Sequence, residues 1–99
     1  MAATHLERLG YTVLKTATRS LIFDLIAFNE QHTLFISARR ERKSQTVKEI
    51  SQTYSNLIAD MQKIRVPYLI EKQFWVYQDD HFEIYKLFDN GIMKKQMDE

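Results

Sequence analysis

One amphipathic helix in the second half of the chain constrains the fold more than any other feature. Its apolar side chains recur at spacings of three and four residues, at Val47, Ile50, Tyr54, Leu57, Met61 and Ile64. That period places them on one face of an α-helix. Thr46 and Glu49 form a capping-box pattern at its start, and Val66-Pro67 ends it. A helix with one apolar stripe needs a surface to pack on, which indicates a sheet built from the flanking segments.

The segments on either side of this helix are predicted to be strands, because they are rich in β-branched and aromatic residues. The predicted strands are residues 11–16, 21–28, 33–39, 68–77 and 82–88. Asn29-Glu30-Gln31 and Gln78-Asp79-Asp80 are predicted hairpin turns, and Asn90-Gly91 is a further turn signal. A short helix from Thr4 to Leu9 precedes them, with a capping box at Thr4 and Glu7 and a stop at Gly10.

These elements predict an α+β fold. It consists of a short N-terminal helix, a three-stranded antiparallel meander, one long amphipathic helix and a C-terminal β-hairpin. A length of 99 residues fits one domain, predicted over residues 1–93, with a polar C-terminal tail at 94–99. A chain this short buries a modest core, which favours a homodimer.

Composition excludes several classes of protein. Hydrophobic residues make up 44% and charged residues 27%, which is typical of a globular domain. The chain has no cysteine, so disulfides and thiolate metal sites are excluded. No apolar run approaches the length that crosses a membrane, and the first ten residues have no signal-peptide core. We therefore expect a cytoplasmic protein without membrane contact.

Asp24 is the first residue that needs an explanation, because it interrupts a strand that is otherwise apolar on both faces. A buried carboxylate is costly unless it is paired, hydrogen-bonded or bound to a metal. One interpretation is therefore a metal ligand. The other is an ion pair with Arg39 across adjacent strands, which requires neither a metal nor a function.

The first half of the chain resembles the PD-(D/E)XK nucleases, and among them the archaeal Holliday junction resolvases. The segments that carry the resemblance are Gly10-Tyr11-Thr12-Val13, Phe23-Asp24-Leu25-Ile26-Ala27 and Leu34-Phe35-Ile36-Ser37-Ala38-Arg39. In that family a strand carries a metal-binding Asp, and the next strand carries an acid and a lysine two residues later. The resemblance implies a restriction-endonuclease-like core, in which two acids hold Mg²⁺ and the metal activates water.

The resemblance assigns roles to three residues, and the motif is degenerate at two of them. Asp24 matches the first metal-ligand Asp, Ser37 occupies the place of the second acid, and Arg39 occupies that of the lysine. Ser37 supplies no carboxylate, and Arg39 stays protonated and cannot act as a base. The family also has a glutamate upstream in its first helix, and Glu7 lies too close to Gly10 to be its counterpart. We therefore expect a vestigial site in a protein without catalysis, with Mg²⁺ at Asp24 only if the chain is active.

A basic run follows the third predicted strand. We expect nucleic-acid contacts from it and from two upstream residues, namely Lys15, Arg19, Arg39, Arg40, Arg42 and Lys43. Such side chains bind phosphates and make binding salt-dependent. The alternative interpretation is a solvated connection between strand and helix. Glu41, inside the run, is an alternative candidate for the second acid of the motif, displaced from the position that Ser37 occupies.

Three hypotheses for the function remain. The first is a non-catalytic nuclease-fold protein that binds nucleic acid or a protein partner. The second is an active metal-dependent nuclease. The third is a small dimeric structural protein, which associates through its aromatic and acidic C-terminal hairpin, because such a surface suits a protein interface better than DNA.

Overall fold

A computed structural model describes residues 2–16 and 22–95 of the chain. The helices are α1 (Ala2–Arg8), α2 (Val47–Thr53) and α3 (Ser55–Lys63). The strands are β1 (Thr12–Lys15), β2 (Leu25–Phe28), β3 (Thr33–Arg40), β4 (Ile70–Gln78), β5 (His81–Phe88) and β6 (Gly91–Lys95). The fold is therefore α+β, as predicted. None of the helices within these residues is long and apolar enough to cross a membrane.

The six strands form one mixed sheet in the order β1-β2-β3-β4-β5-β6. All neighbours are antiparallel except β3 and β4, which run parallel with Thr33 opposite Ile70 and Arg40 opposite Tyr77. Parallel neighbours need a crossover connection, and α2 and α3 provide it. The C-terminal strands thus extend the same sheet as the predicted meander.

Two apolar clusters cover the two faces of the sheet. On one face Leu6 of α1 packs with Ile36 and Trp75. On the other face Ile50 of α2 and Met61 of α3 pack with residues of β4 and β5, including Phe74 and Tyr85. Successive strand residues point to opposite faces, so residues with the parity of Ile36 face α1 and those with the parity of Phe35 face α2 and α3.

Helix α1 ends at Gly10, as predicted. Gly10 has a positive φ of 93°, a backbone conformation that glycine adopts without a steric cost. Its N–H donates to the carbonyl of Glu7 at 3.0 Å, and the N–H of Tyr11 donates to that of Leu6 at 3.1 Å. This pair of bonds is a Schellman motif. The predicted capping box at Thr4 is wrong, because the helix begins at Ala2 and Thr4 lies inside it.

The predicted long helix is two helices that meet at Tyr54. The capping box at its start is confirmed, since Thr46 Oγ1 accepts from the N–H of Glu49 and Glu49 Oε1 accepts from that of Thr46. Tyr54 has φ −109° and ψ 24°, which is outside helical geometry. Its ring packs edge-on against Phe74 with centroids 5.0 Å apart, and its hydroxyl donates to Glu41. The backbone departs from helical geometry at Tyr54, the residue that makes these two contacts.

The C-terminal hairpin is part of a three-stranded unit. Asp79 and Asp80, with φ of 53° and 62°, form the two-residue turn between β4 and β5, typical of a type I′ turn. The Asn90-Gly91 signal leads into β6, which ends at Lys95, inside the segment predicted as a tail. Lys94 Nζ lies 2.8 Å from Glu83 Oε2, and Lys95 Nζ lies 3.1 Å from Glu71 Oε2. These ion pairs attach the last strand to its neighbours.

Candidate nucleic-acid interface

Asp24 lies directly before β2, at the end of the sheet where β3 finishes. Its N–H donates to the carbonyl of Ile36 at 2.8 Å, and its carbonyl accepts from the N–H of Thr16 at 3.0 Å. The backbone of Asp24 is therefore held between the neighbouring segments, although the regular strand begins one residue later. Its side chain is 44% exposed, so the expectation of a buried carboxylate is wrong, because Asp24 stands at the open end of the sheet.

The carboxylate of Asp24 is bound by two successive residues of β3. Oδ2 accepts from the backbone N–H of Ala38 at 2.8 Å and from Nη1 of Arg39 at 3.0 Å. The cross-strand ion pair considered as an alternative to a metal site is therefore present. Both partners are more than a third exposed, so the pair itself contributes little to stability.

Among the described residues, one of the three guanidinium nitrogens of Arg39 has hydrogen-bond partners. Nη1 donates to Asp24 and to the carbonyl of Ala38 at 2.7 Å. Within residues 2–16 and 22–95, Nε and Nη2 form no hydrogen bond, and 37% of the side chain is exposed. A guanidinium carries five N–H donors in a rigid planar fork. Asp24 and Ala38 thus fix the orientation of Arg39 and leave one edge of the fork open.

Ser37 lies between Asp24 and Arg39 in sequence, but its side chain is buried away from both. The residue is fully buried, next to Phe74 across the parallel ladder. Its Oγ donates to the backbone carbonyl of Ile22. The Ser37 oxygen, at the position where the motif has its second acid, is therefore engaged in a hydrogen bond to the backbone.

Glu41 follows β3 and is turned toward the crossover helices. Its carboxylate accepts from the hydroxyl of Tyr54 and, at 3.0 Å, from Nε2 of Gln45. Burial of the hydroxyl and its hydrogen bond to Glu41 raise the pKa of Tyr54 to about 12. No local sequence pattern predicts this contact, because Glu41 and Tyr54 lie 13 residues apart on different elements.

These donors fit a magnesium ion poorly. Mg²⁺ prefers oxygen ligands with one or two carboxylates. The guanidinium of Arg39 already lies 3.0 Å from Asp24 Oδ2, the Ser37 oxygen is buried, and the Glu41 carboxylate is bound to Tyr54 and Gln45. In the part of the chain that the structure describes, no group of three or more His, Cys, Asp or Glu side chains is arranged to hold a metal ion.

The basic residues collect at the same end of the sheet, which we call the basic end: Lys15, Arg39, Arg40, Arg42 and Lys43. They do not form one continuous face. Arg39 points to the side of α2, whereas Arg40 lies on the side of α1, with its guanidinium carbon 5.7 Å from the centroid of the Tyr77 ring. Lys15 shares the α1 side with Val13, and Arg42 and Lys43 are exposed in the loop after β3. Arg19 lies outside the described residues.

Tyr77 is a residue that the sequence did not connect with the basic run. From the sequence it belongs to an aromatic hairpin, which was interpreted as a protein interface rather than as a stacking platform for bases. The parallel pairing of β3 and β4 places it directly opposite Arg40. Residues 37 positions apart show no local signal of such pairing, so only the three-dimensional structure identifies the contact.

Comparison with solved structures supports the predicted resemblance at the level of fold. The fold is similar to that of an archaeal Holliday junction resolvase. The match is to Hjc of Archaeoglobus fulgidus, with a TM-score of 0.55 and 11% identity, and it covers 98% of this chain and 86% of that one. No protein-family model matches the sequence, and no curated protein matches it. At this identity the likeness shows the fold alone.

Proposed function

We propose that this chain is a non-catalytic nuclease-fold protein that binds the phosphate backbone of nucleic acid at its basic end. The observation that carries the proposal is the geometry of Arg39, whose Nη1 is bound by Asp24 while Nε and Nη2 have no partner among residues 2–16 and 22–95. A guanidinium edge such as Nε–Nη2 binds two phosphate oxygens through parallel hydrogen bonds. Asp24 is then a positioning residue for a phosphate-binding arginine.

The surroundings of Arg39 favour the same ligand. Arg42 and Lys43 are exposed beside it and form no ion pair with any described residue. Lys15 and Arg40 add positive charge on the other side of the same end. Each lysine or arginine that neutralises a phosphate releases counterions, so binding at such a surface weakens as salt rises.

The charges around Asp24 disfavour catalysis. In the motif that the chain resembles, two acids and a metal generate the nucleophile. Here a guanidinium compensates the Asp24 carboxylate, and arginine does not release its proton at working pH. Because the similar fold belongs to a Holliday junction resolvase, a four-way DNA junction is the first ligand to test, beside duplex DNA.

The proposal is tested by fluorescence anisotropy with labelled junction and duplex DNA over a series of salt concentrations. Arg39→Gln should weaken binding and reduce the slope of log K against log salt by about one. Arg39→Lys should keep the slope but still weaken binding roughly fivefold or more, because an ammonium cannot bind bidentately. Lys63→Gln, in α3, is the matched control and should bind as the unchanged protein does. Equal binding by all three variants would refute the role of Arg39.

The same samples test catalysis. Incubation of each DNA with Mg²⁺ or Mn²⁺ should leave it intact. Cleavage that disappears in Asp24→Ala would overturn the non-catalytic assignment and establish the alternative, an active metal-dependent nuclease.

A dimeric interaction protein is a second candidate, and exposed apolar side chains favour it. Leu14 is 54% exposed and Phe28 39%, and both lie on the α2 side, Leu14 in the outer strand β1 and Phe28 in its neighbour β2. Met93, in the opposite outer strand β6, is 58% exposed. A tight homodimer in sedimentation, together with no DNA binding at low salt, would select this candidate over the first.

A further inference from the structure

A pocket of about 470 Å³ lies on the α1 side of the basic end. We call it the α1 pocket. Its walls come from α1 and from the β4–β5 turn, and the residues used below are Thr4, His5, Arg8, Tyr77, Asp80 and Phe82. None of these residues has a role in the proposed phosphate contacts.

The floor of the α1 pocket is aromatic. The rings of Tyr77 and Phe82 lie 5.0 Å apart, and the ring of His5 lies 5.9 Å from Phe82 and 5.6 Å from Trp75. Nε2 of His5 is buried and has no hydrogen-bond partner among the described residues. The ring planes are inclined to one another by 53° to 76° and so present both faces and edges, a surface suited to a planar heteroaromatic ligand rather than to an aliphatic chain.

The rim of the α1 pocket is polar and exposed. Arg8 supplies a positive charge from α1, and Asp80 supplies a carboxylate from the turn. A carboxylate accepts hydrogen bonds and donates none. It therefore repels a phosphate but suits the exocyclic amino group of a nucleobase.

Arg40 joins this pocket to the basic end. It stacks over Tyr77 and pairs with it across the β3–β4 ladder. A phosphate held by Arg40 would therefore place its own nucleotide beside the aromatic floor. Within a duplex that nucleotide keeps its base inside the helix, so only an unpaired base is free to enter.

We propose that the α1 pocket receives one unpaired nucleobase of a nucleic acid bound at the basic end. The inference rests on the proposed function, and it makes the preferred ligand a nucleic acid with an unpaired nucleotide. Stacking of one base on aromatic side chains strengthens binding by roughly fivefold to a hundredfold.

The test uses the full chain and two DNA duplexes of equal length, one fully paired and one with a single extra adenine. Anisotropy should show about tenfold tighter binding of the duplex with the extra base. With 2-aminopurine at the extra position, its fluorescence should fall on binding, because stacking on an aromatic ring quenches it. Tyr77→Leu should abolish the preference and the quenching, whereas Tyr77→Phe should retain both.

A second variant avoids the packed floor. Thr4 is exposed on the rim, so Thr4→Trp should fill the α1 pocket without disturbing the core. It should bind the paired duplex normally and lose the preference for the extra base. If the unchanged protein binds both duplexes equally, the pocket proposal is wrong while the proposed function stands. If it binds neither, the proposed function itself fails.

Discussion

The side-chain amide of Gln78 forms two hydrogen bonds with the backbone of Gln45. Gln78 Oε1 accepts from the N–H of Gln45 at 3.0 Å, and Gln78 Nε2 donates to the carbonyl of Gln45 at 3.1 Å. The side chain thus pairs with the loop as a neighbouring strand would. At the other end of the loop, the N–H of Glu41 donates to the carbonyl of Tyr77 at 3.0 Å. The segment that carries Arg42 and Lys43 is therefore fixed to β4 at both ends.

Replacement of Gln78 by leucine should loosen this loop. Gln78 is 2% exposed, and its loss leaves two backbone groups of Gln45 without their partner. We expect the free energy of unfolding in urea to fall by about 1–3 kcal/mol. Gln52→Leu, on the exposed face of α2, is the control and should change it by less than about 0.5 kcal/mol. An equally small change for both variants would mean that water replaces the amide without loss.

Introducing an acid at Ser37 should destabilise the protein rather than create a metal site. Ser37→Glu puts a carboxylate at a fully buried position next to Phe74. We expect a loss of about 3 kcal/mol or more, seen as a lowered melting temperature in circular dichroism. Ser37→Ala removes one hydrogen bond and should cost about 1 kcal/mol. A stable Ser37→Glu protein that is further stabilised by Mg²⁺ would show instead that the site can still accept a metal.

Lys72 closes the C-terminal end of α3 from inside the fold. Its Nζ donates to the carbonyls of Met61, Gln62 and Ile64 at 2.9, 3.2 and 3.0 Å. Burial lowers the pKa of Lys72, which is the cost of holding this ammonium away from water. We expect Lys72→Met to reduce the free energy of unfolding by about 1–3 kcal/mol, because three carbonyls lose their donor. Lys63→Met, exposed in the same helix, is the control, and a Lys72→Met protein as stable as the unchanged one would refute the capping role.

The β4–β5 turn should make stability depend on pH. Hydrogen bonds to the carbonyl of Asp79 and to Glu83 raise the pKa of His81 above its ordinary 6.5. The stability that His81 contributes through these hydrogen bonds is complete below pH 6.5 and is lost as pH rises through the raised pKa of His81. Burial of Glu83 acts to raise its pKa, but hydrogen bonds from Lys94 and His81 outweigh it and lower the pKa below 4.5. The stability that Glu83 contributes is complete above pH 4.5 and is lost as pH falls through the lowered pKa of Glu83.

Urea midpoints at about pH 5.5 and about pH 8 measure the histidine contribution. The unchanged protein should be more stable at the lower of the two, and His81→Gln should reduce that difference. The control is His32→Gln, directly after the predicted turn at Asn29-Glu30-Gln31. An identical difference in His81→Gln would exclude the turn as its origin.

Local signals in the sequence predicted the elements well where the structure is local. Gly10, the Thr46–Glu49 box and the Asp79–Asp80 turn act within a few residues, and each lies where it was predicted. The break at Tyr54 was missed because the apolar period continues through it, and the residues that Tyr54 contacts, Glu41 and Phe74, lie far from it in sequence. The third C-terminal strand was missed because Lys94 and Lys95 indicate a polar tail until their partners on β4 and β5 are known.

The sequence predicted which residues form the candidate site better than it predicted how they are arranged. The pairing of Asp24 with Arg39 follows from the register of β2 and β3, which a short hairpin fixes. The exposure of Asp24 does not, because it depends on where the strand begins. The separation of Arg39 and Arg40 onto two sides follows from strand alternation. The contact of Arg40 with Tyr77 depends on the parallel ladder, which has no local signature.

That ladder also sets the order in which the domain can assemble. β1 to β3 and β4 to β6 are each joined by short turns, whereas Thr33 and Ile70 must close a loop of 37 residues before they pair. Closing such a loop costs chain entropy before any contact offsets it, so we expect the two meanders to form before they dock. Arg40 and Tyr77 stand on opposite sides of that last junction. We therefore expect a partly folded chain to present Arg40 without Tyr77 beside it, and the proposed base recognition at the α1 pocket would require the completed ladder.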